Sequence, residues 1–173
     1  MPVNGLQNAF LKLVVPPAQA AQRKWGIPAS VTIAQSIQES SNELGWGQSQ
    51  LARAYNNYFG IKAEHLAKPG TYVELPTKEY VHGKIQVEEA DFARYEDVNG
   101  SFEAHAKLLA IAQRYRPAMA ATNDPEAFAR QLQRCGYSTN PTYASGLSHL
   151  MSLYDLKQYD VPPEPAAAQE FKL

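Results

Sequence analysis

The sequence holds a single cysteine, Cys135, so no internal disulfide can staple its fold. A lone thiol of this kind is expected to pack as a small apolar group. No run of about 18 apolar residues occurs, which excludes a helical membrane span. Neither charge sign dominates: 16 Lys and Arg stand against 17 Asp and Glu, and no basic block interrupts the balance. Nucleic-acid binding driven by phosphate neutralisation is thereby excluded. The opening Met1-Pro2-Val3-Asn4-Gly5 lacks the basic-then-apolar layout of a signal peptide, so export would use a route not encoded here. His65, His82, His105 and His149 show no metal-ligand spacing, so no metal site is expected. Neither a Gly-x-Ser-x-Gly elbow nor a Gly-rich phosphate loop is found.

What is there points to one helical domain. A chain of 173 residues, 45% hydrophobic, can bury its own core. We place the domain at 1–160 and a flexible tail at 161–173. Pro162-Pro163-Glu164-Pro165 followed by three alanines reads as a linker, and Glu170-Phe171-Lys172-Leu173 matches what two adjacent cloning sites encode. Leu6, Phe10, Leu13 and Val14 recur at helical spacing, and Pro16-Pro17 is expected to end that run. A second helix then runs from Pro17 to Trp25 with Gly26 as its stop, and a third from Pro28 to about Ser40. Ser49 to Tyr55 adds a turn or two. The period then changes: Val73, Leu75, Thr77, Glu79 and Val81 share one strand face, His82-Gly83 makes a turn, and Ile85 and Val87 resume the alternation. Helices are expected again from Ser101 as N-cap to Arg114, from Asp124-Pro125 to Arg134, and from Tyr143 to Leu156.

Three glutamates draw attention. Glu39 ends the helix that begins at Pro28, and apolar neighbours such as Ile37, Trp46, Tyr58 and Phe59 would raise its pKa into the range of a general acid. Glu43, four residues on, reads as a surface residue beyond the helix end. Glu79 falls on an apolar strand face, where a carboxylate needs either a lysine partner or a function. Trp46, Tyr58, Phe59, Tyr137 and Tyr143 are candidates for stacking on sugar rings, although core packing is the commoner fate of an aromatic. Asn57 is a candidate for hydrogen bonds to a sugar, and the Asn56-Asn57 pair equally suits a turn.

Several motifs together resemble a known family. Ile27-Pro28-Ala29-Ser30-Val31-Thr32-Ile33-Ala34-Gln35 leading to Glu39-Ser40, then Gly45-Trp46-Gly47-Gln48-Ser49, then Asn56-Asn57-Tyr58-Phe59-Gly60-Ile61-Lys62 are similar to the bacterial N-acetylglucosaminidase domain of autolysins, phage-type endolysins and the flagellar rod-associated peptidoglycan hydrolase. Pro76-Thr77-Lys78-Glu79-Tyr80 and Gly136-Tyr137 through Tyr143-Ala144 extend the resemblance, which runs from about Val15 to Leu156. It implies an α+β, lysozyme-like fold with a mostly helical lobe, a small β-hairpin lobe and a cleft between them. It implies Glu39 as general acid, Glu79 as second carboxylate, and Tyr143 with Tyr137 lining the centre. The implied partner is the glycan strand of peptidoglycan, cut after N-acetylglucosamine in the periplasm or outside the cell, with no cofactor. Ser41-Asn42-Glu43-Leu44 departs from the family pattern: counting forward from Ala34-Gln35 selects Glu39, whereas counting back from Trp46 selects Glu43. Spacing and helical phase favour Glu39. A muramidase or lytic transglycosylase, which also works from one glutamate, and a non-catalytic wall-binding module are the alternatives. A monomer is the default for a cleft that grips a polymer.

Overall fold

The computed structural model describes residues 3–63, 70–81 and 84–161, without the side chains of residues 78–81, 84 and 85. Its first helix, α1, spans Gly5–Trp25. Asn4 and Gln7 open it with reciprocal side-chain bonds of 2.9 Å to each other's backbone N–H. It ends at Gly26, whose φ of 79° suits a residue without Cβ and whose N–H reaches the Gln22 carbonyl. The break expected at Pro16-Pro17 does not occur, because both prolines lie inside this one helix. Each costs roughly 3 kcal/mol in a helix interior. The carbonyls they leave unpaired belong to Lys12 and Leu13, on the exposed side. Phe10, Leu11, Val14, Pro17, Ala18 and Ala21 keep one continuous buried face through the prolines, and burying each large apolar side chain returns about 1.5–3 kcal/mol.

Helix α2, Ala29–Ser40, is the central element; every residue from Ala29 to Ile37 is buried. It packs against α1 and against elements from the end of the chain. Pro28 precedes the helix rather than joining it and offers no side-chain cap. Asp160 supplies that cap from a distance: its carboxylate accepts from Ser30 N–H at 2.7 Å and from Ser30 Oγ at 2.8 Å. Gln22 Oε1 accepts from Ala29 N–H and also from Val161 N–H. Residues 162–173, including the linker and the final tetrapeptide, lie outside the described residues.

Helix α3, Gln50–Tyr55, is capped by Ser49. Strands β1, Tyr72–Val81, and β2, Lys84–Ala93, form an antiparallel hairpin with Val73 opposite Phe92 and Thr77 opposite Glu88. The expected turn at His82-Gly83 lies outside the described residues. Val73, Leu75 and Thr77 are half-buried while Glu74 and Pro76 are exposed, as the period of two requires. Val87, by contrast, is 67% exposed, because it pairs with Lys78 and so lies on the outward face with Glu74 and Pro76. Asn57 clasps the hairpin to the helices: its amide donates to the Ile61 and Ala93 carbonyls and its oxygen accepts from Phe59 and Ile61 N–H.

Four more helices complete the larger lobe: α4, Val98–Ile111; α5, Arg116–Met119; α6, Pro125–Arg134; and α7, Tyr143–Leu153. Helix α4 starts earlier than expected because Asp97, not Ser101, caps it, accepting from Gly100 N–H at 2.9 Å. Ser101 is buried instead, and its hydroxyl accepts from Tyr58 N–H. Helix α7 stops at Leu153, and Leu156–Tyr159 follow as a separate 3-10 turn. Cys135 is a half-buried free thiol packed against the core at the end of α6.

Candidate active site

Glu39 lies in the last turn of α2, one turn beyond Gln35 and therefore on the same helix face. Gln35 is buried, and its Nε2 donates to the Tyr143 hydroxyl at 2.8 Å. That bond brings the start of α7 beside the end of α2. Tyr143 is positioned by the turn before it, where Asn140 Oδ1 accepts from Thr142 N–H and the Asn140 carbonyl from Tyr143 N–H. Gln133 of α6 braces the same turn, donating to the Pro141 carbonyl and accepting from Ala144 N–H.

Tyr137 follows α6 directly. Gly136, at φ 75°, turns the chain, and Tyr137 N–H closes on the Leu132 carbonyl. Its ring stacks on Tyr143 with centroids 5.5 Å apart and planes 29° off parallel. The Glu39 charge is felt by both tyrosines, and burial together with that charge pushes both phenols above their ordinary range. Glu39 itself is reachable by solvent, as a proton donor to a polymer must be. The protein around its carboxyl nonetheless withholds enough water to raise its pKa to about 7. Such a group is about half protonated at neutral pH, the poise suited to general acid catalysis.

The structure thus brings Glu39, Tyr137 and Tyr143 together. The other aromatic candidates make their ring contacts within the core. Trp46 stands edge-on to Tyr154 at 4.6 Å and packs on Phe10. Tyr58 is buried against Phe10 and Phe102, and Phe59 against Phe102 and His105. Ile37 is likewise a core residue. The aromatic groups that sense the Glu39 charge are Tyr137 and Tyr143 of the chain's last third. Asn57 has committed both amide hydrogens to the backbone and has none left for a sugar. Glu43 stands exposed in the turn after α2. Glu79 lies in β1 opposite Gln86, and its side chain is outside the described residues. Two surface depressions, of about 310 and 500 Å³, lie along α3 and the Trp46 loop, and Glu39 lines neither.

Gln35 and His105 were not among the sequence candidates. Gln35 had a signal, its place one turn before Glu39 on the same face. His105 had a weaker one, a histidine on the apolar stripe of Phe102, Ala106 and Leu109.

Comparison with known proteins identifies the family. The sequence profile described as mannosyl-glycoprotein endo-beta-N-acetylglucosaminidase matches residues 15–156. The chain belongs to this glucosaminidase family. The exo-glucosaminidase LytG of Bacillus subtilis (strain 168) is 36% identical over 159 residues, covering 89% of this chain and 54% of that protein. The peptidoglycan hydrolase FlgJ of Escherichia coli (strain K12) is 34% identical over 151 residues, covering 85% of this chain and 46% of that one. The chain therefore spans about half the length of these curated relatives. The crystal structure of the catalytic domain of the autolysin Auto from Listeria monocytogenes superposes with a TM-score of 0.78 at 32% identity, covering 92% of this chain and 90% of that one. The glucosaminidase domain is a glycoside hydrolase with the α+β, lysozyme-like fold: a mostly helical lobe and a two-stranded β-lobe. Among its described residues no helix is long and apolar enough to cross a membrane.

Proposed function

We propose that the domain is an endo-β-N-acetylglucosaminidase acting on the glycan strands of peptidoglycan, in the periplasm or outside the cell, with Glu39 as general acid. The observation that carries this reading is the Glu39 carboxyl, solvent-reachable, raised to a pKa of about 7 and set beside Tyr143 and Tyr137. The protonated carboxyl gives its proton to the glycosidic oxygen as the bond from C1 of N-acetylglucosamine breaks. The two tyrosine hydroxyls lie close enough to feel the charge Glu39 then carries. Water completes the reaction at C1. Its second proton goes to Glu79 if the water attacks directly. If the substrate's own N-acetyl oxygen attacks first, that proton goes to Glu39. The first route inverts the anomeric carbon and the second retains it, so the anomer formed at the moment of cleavage distinguishes them.

The relatives' names support the substrate assignment, since LytG is called an exo-glucosaminidase and FlgJ a peptidoglycan hydrolase. The test is a cell-wall zymogram and a digest of purified wall. The native domain is expected to clear the wall and leave N-acetylglucosamine at the reducing ends. Glu39→Gln is expected to clear nothing. Full clearing by that variant, or anhydromuramic acid at the ends, overturns the proposal.

A further inference from the structure

His105 is a buried titratable group for which the scheme above has no use. It lies on α4 with no exposed surface, stacked on Phe59 with centroids 4.0 Å apart and planes 13° from parallel. Its Nε2 is 3.2 Å from the Tyr137 hydroxyl oxygen. Its Nδ1 is equally buried and meets no polar partner among the described residues. Burial holds the imidazole pKa down to about 3, so the ring is neutral at physiological pH and carries one N–H.

The two tautomers differ in what they leave unpaired. With the proton on Nδ1, a buried N–H donor has no acceptor. With the proton on Nε2, the N–H donates to Tyr137 and only a lone pair is left over. An orphaned buried N–H is the rarer and costlier arrangement. The geometry therefore favours Nε2–H. A tyrosine hydroxyl that accepts from His105 must point its own hydrogen elsewhere, and the groups around Tyr137 are Tyr143, Tyr115 and the charge of Glu39. Gln35 does the same for Tyr143: its amide donates to the hydroxyl oxygen and leaves that hydroxyl's hydrogen unspent.

We infer that His105 is a positioning residue: it holds the Tyr137 hydroxyl as an acceptor on its core side, so that its hydrogen is presented to the glycan or to the Glu39 carboxylate formed on proton transfer. This rests on the glucosaminidase reading, and its test has an arm that does not. Long-range ¹H–¹⁵N correlation of the native domain, with His105 assigned by its loss in His105→Gln, is expected to show the Nε2–H tautomer; an Nδ1–H tautomer overturns the inference. In kinetics on soluble glycan fragments, His105→Phe keeps a ring on Phe59 but removes the donor. It is expected to lower kcat about tenfold at unchanged KM. His105→Gln, whose amide nitrogen falls where Nε2 stood, is expected to recover kcat to within about threefold of the native value. In a Tyr137→Phe background, His105→Phe is expected to cost nothing further. A native kcat in His105→Phe, or losses that multiply in the double variant, overturns the inference. If the native domain itself releases no sugar, the glucosaminidase reading fails and the tautomer measurement still decides this one.

Discussion

The molecule holds two groups of aromatic side chains with different chemistry. Phe10, Trp46, Tyr58, Phe59 and Phe102 join through ring edges and faces between α1, the Trp46 loop and α4. Tyr137 and Tyr143 stack on each other too, but each hydroxyl meets a buried polar group, His105 for one and Gln35 for the other. The second group adjoins Glu39. Burying a polar side chain is worthwhile only where it is paired, so hydroxyls deliberately paired near a carboxyl with a raised pKa mark a site, whereas rings joined only to rings mark a core. The comparison also separates two glutamates. Glu39 is held on the tyrosine side of α2, and Glu43 stands in solvent one turn later.

The sharpest break would come at the acid. Glu39→Gln is expected to lower kcat on soluble glycan roughly 10²–10⁴-fold, while Glu43→Gln stays within about twofold of native. Turnover of the two purified variants measures this, and an equal loss in both would erase the distinction between the two positions. Next in size is Tyr143→Phe, which removes one hydroxyl from the polar group and orphans the Gln35 amide. A loss of about 10² in kcat is expected, with the fold intact by circular dichroism. Phe59→Ala, in the apolar group, should do the reverse. It is expected to cost about 3–5 kcal/mol of unfolding free energy in a urea titration, with kcat per folded molecule far less affected than by Tyr143→Phe. If Tyr143→Phe unfolds the domain and Phe59→Ala abolishes turnover, the two groups have been assigned the wrong way round.

Much of this was legible in the sequence, and what was not has physical causes. The hairpin, α2, α3 and α6 follow from periodicity and from caps such as Ser49 and Asp124, because those signals act within a few residues. The unbroken α1 was not legible, since the propensity rule at Pro16-Pro17 is local and the burial that overrides it is tertiary. The Asp160 cap on α2 spans 130 residues and leaves no local mark. Of the candidate site, Glu39, Tyr137 and Tyr143 are named by the family resemblance of their motifs, and the structure sets them near one another. Trp46, Tyr58, Phe59 and Asn57 belong to the same motifs, but the structure places them in packing and in the hairpin clasp, because a motif reports residue identity and not the direction a side chain takes.

The smallest expected effect concerns stability and completes the contrast at Glu39. Its pKa is about 7 in the folded domain against 4.5 for an unperturbed glutamate. Between those values the folded state binds more protons than the unfolded one, so stability falls as pH rises through this window. Below about pH 4.5 both states are protonated and the site carries its full contribution; above about pH 7 the charged carboxyl sits where burial disfavours it. Glutamine cannot ionise and escapes this loss. Urea midpoints of native and Glu39→Gln domains should therefore nearly coincide near pH 4, diverge between about pH 4.5 and 7, and keep that gap at higher pH, with the variant more stable. Glu43→Gln, altering an exposed side chain, should show no such divergence. A constant gap between native and Glu39→Gln across the range would mean that the carboxyl is not desolvated, and the basic limb of kcat/KM, expected near pH 7, would then belong to another group.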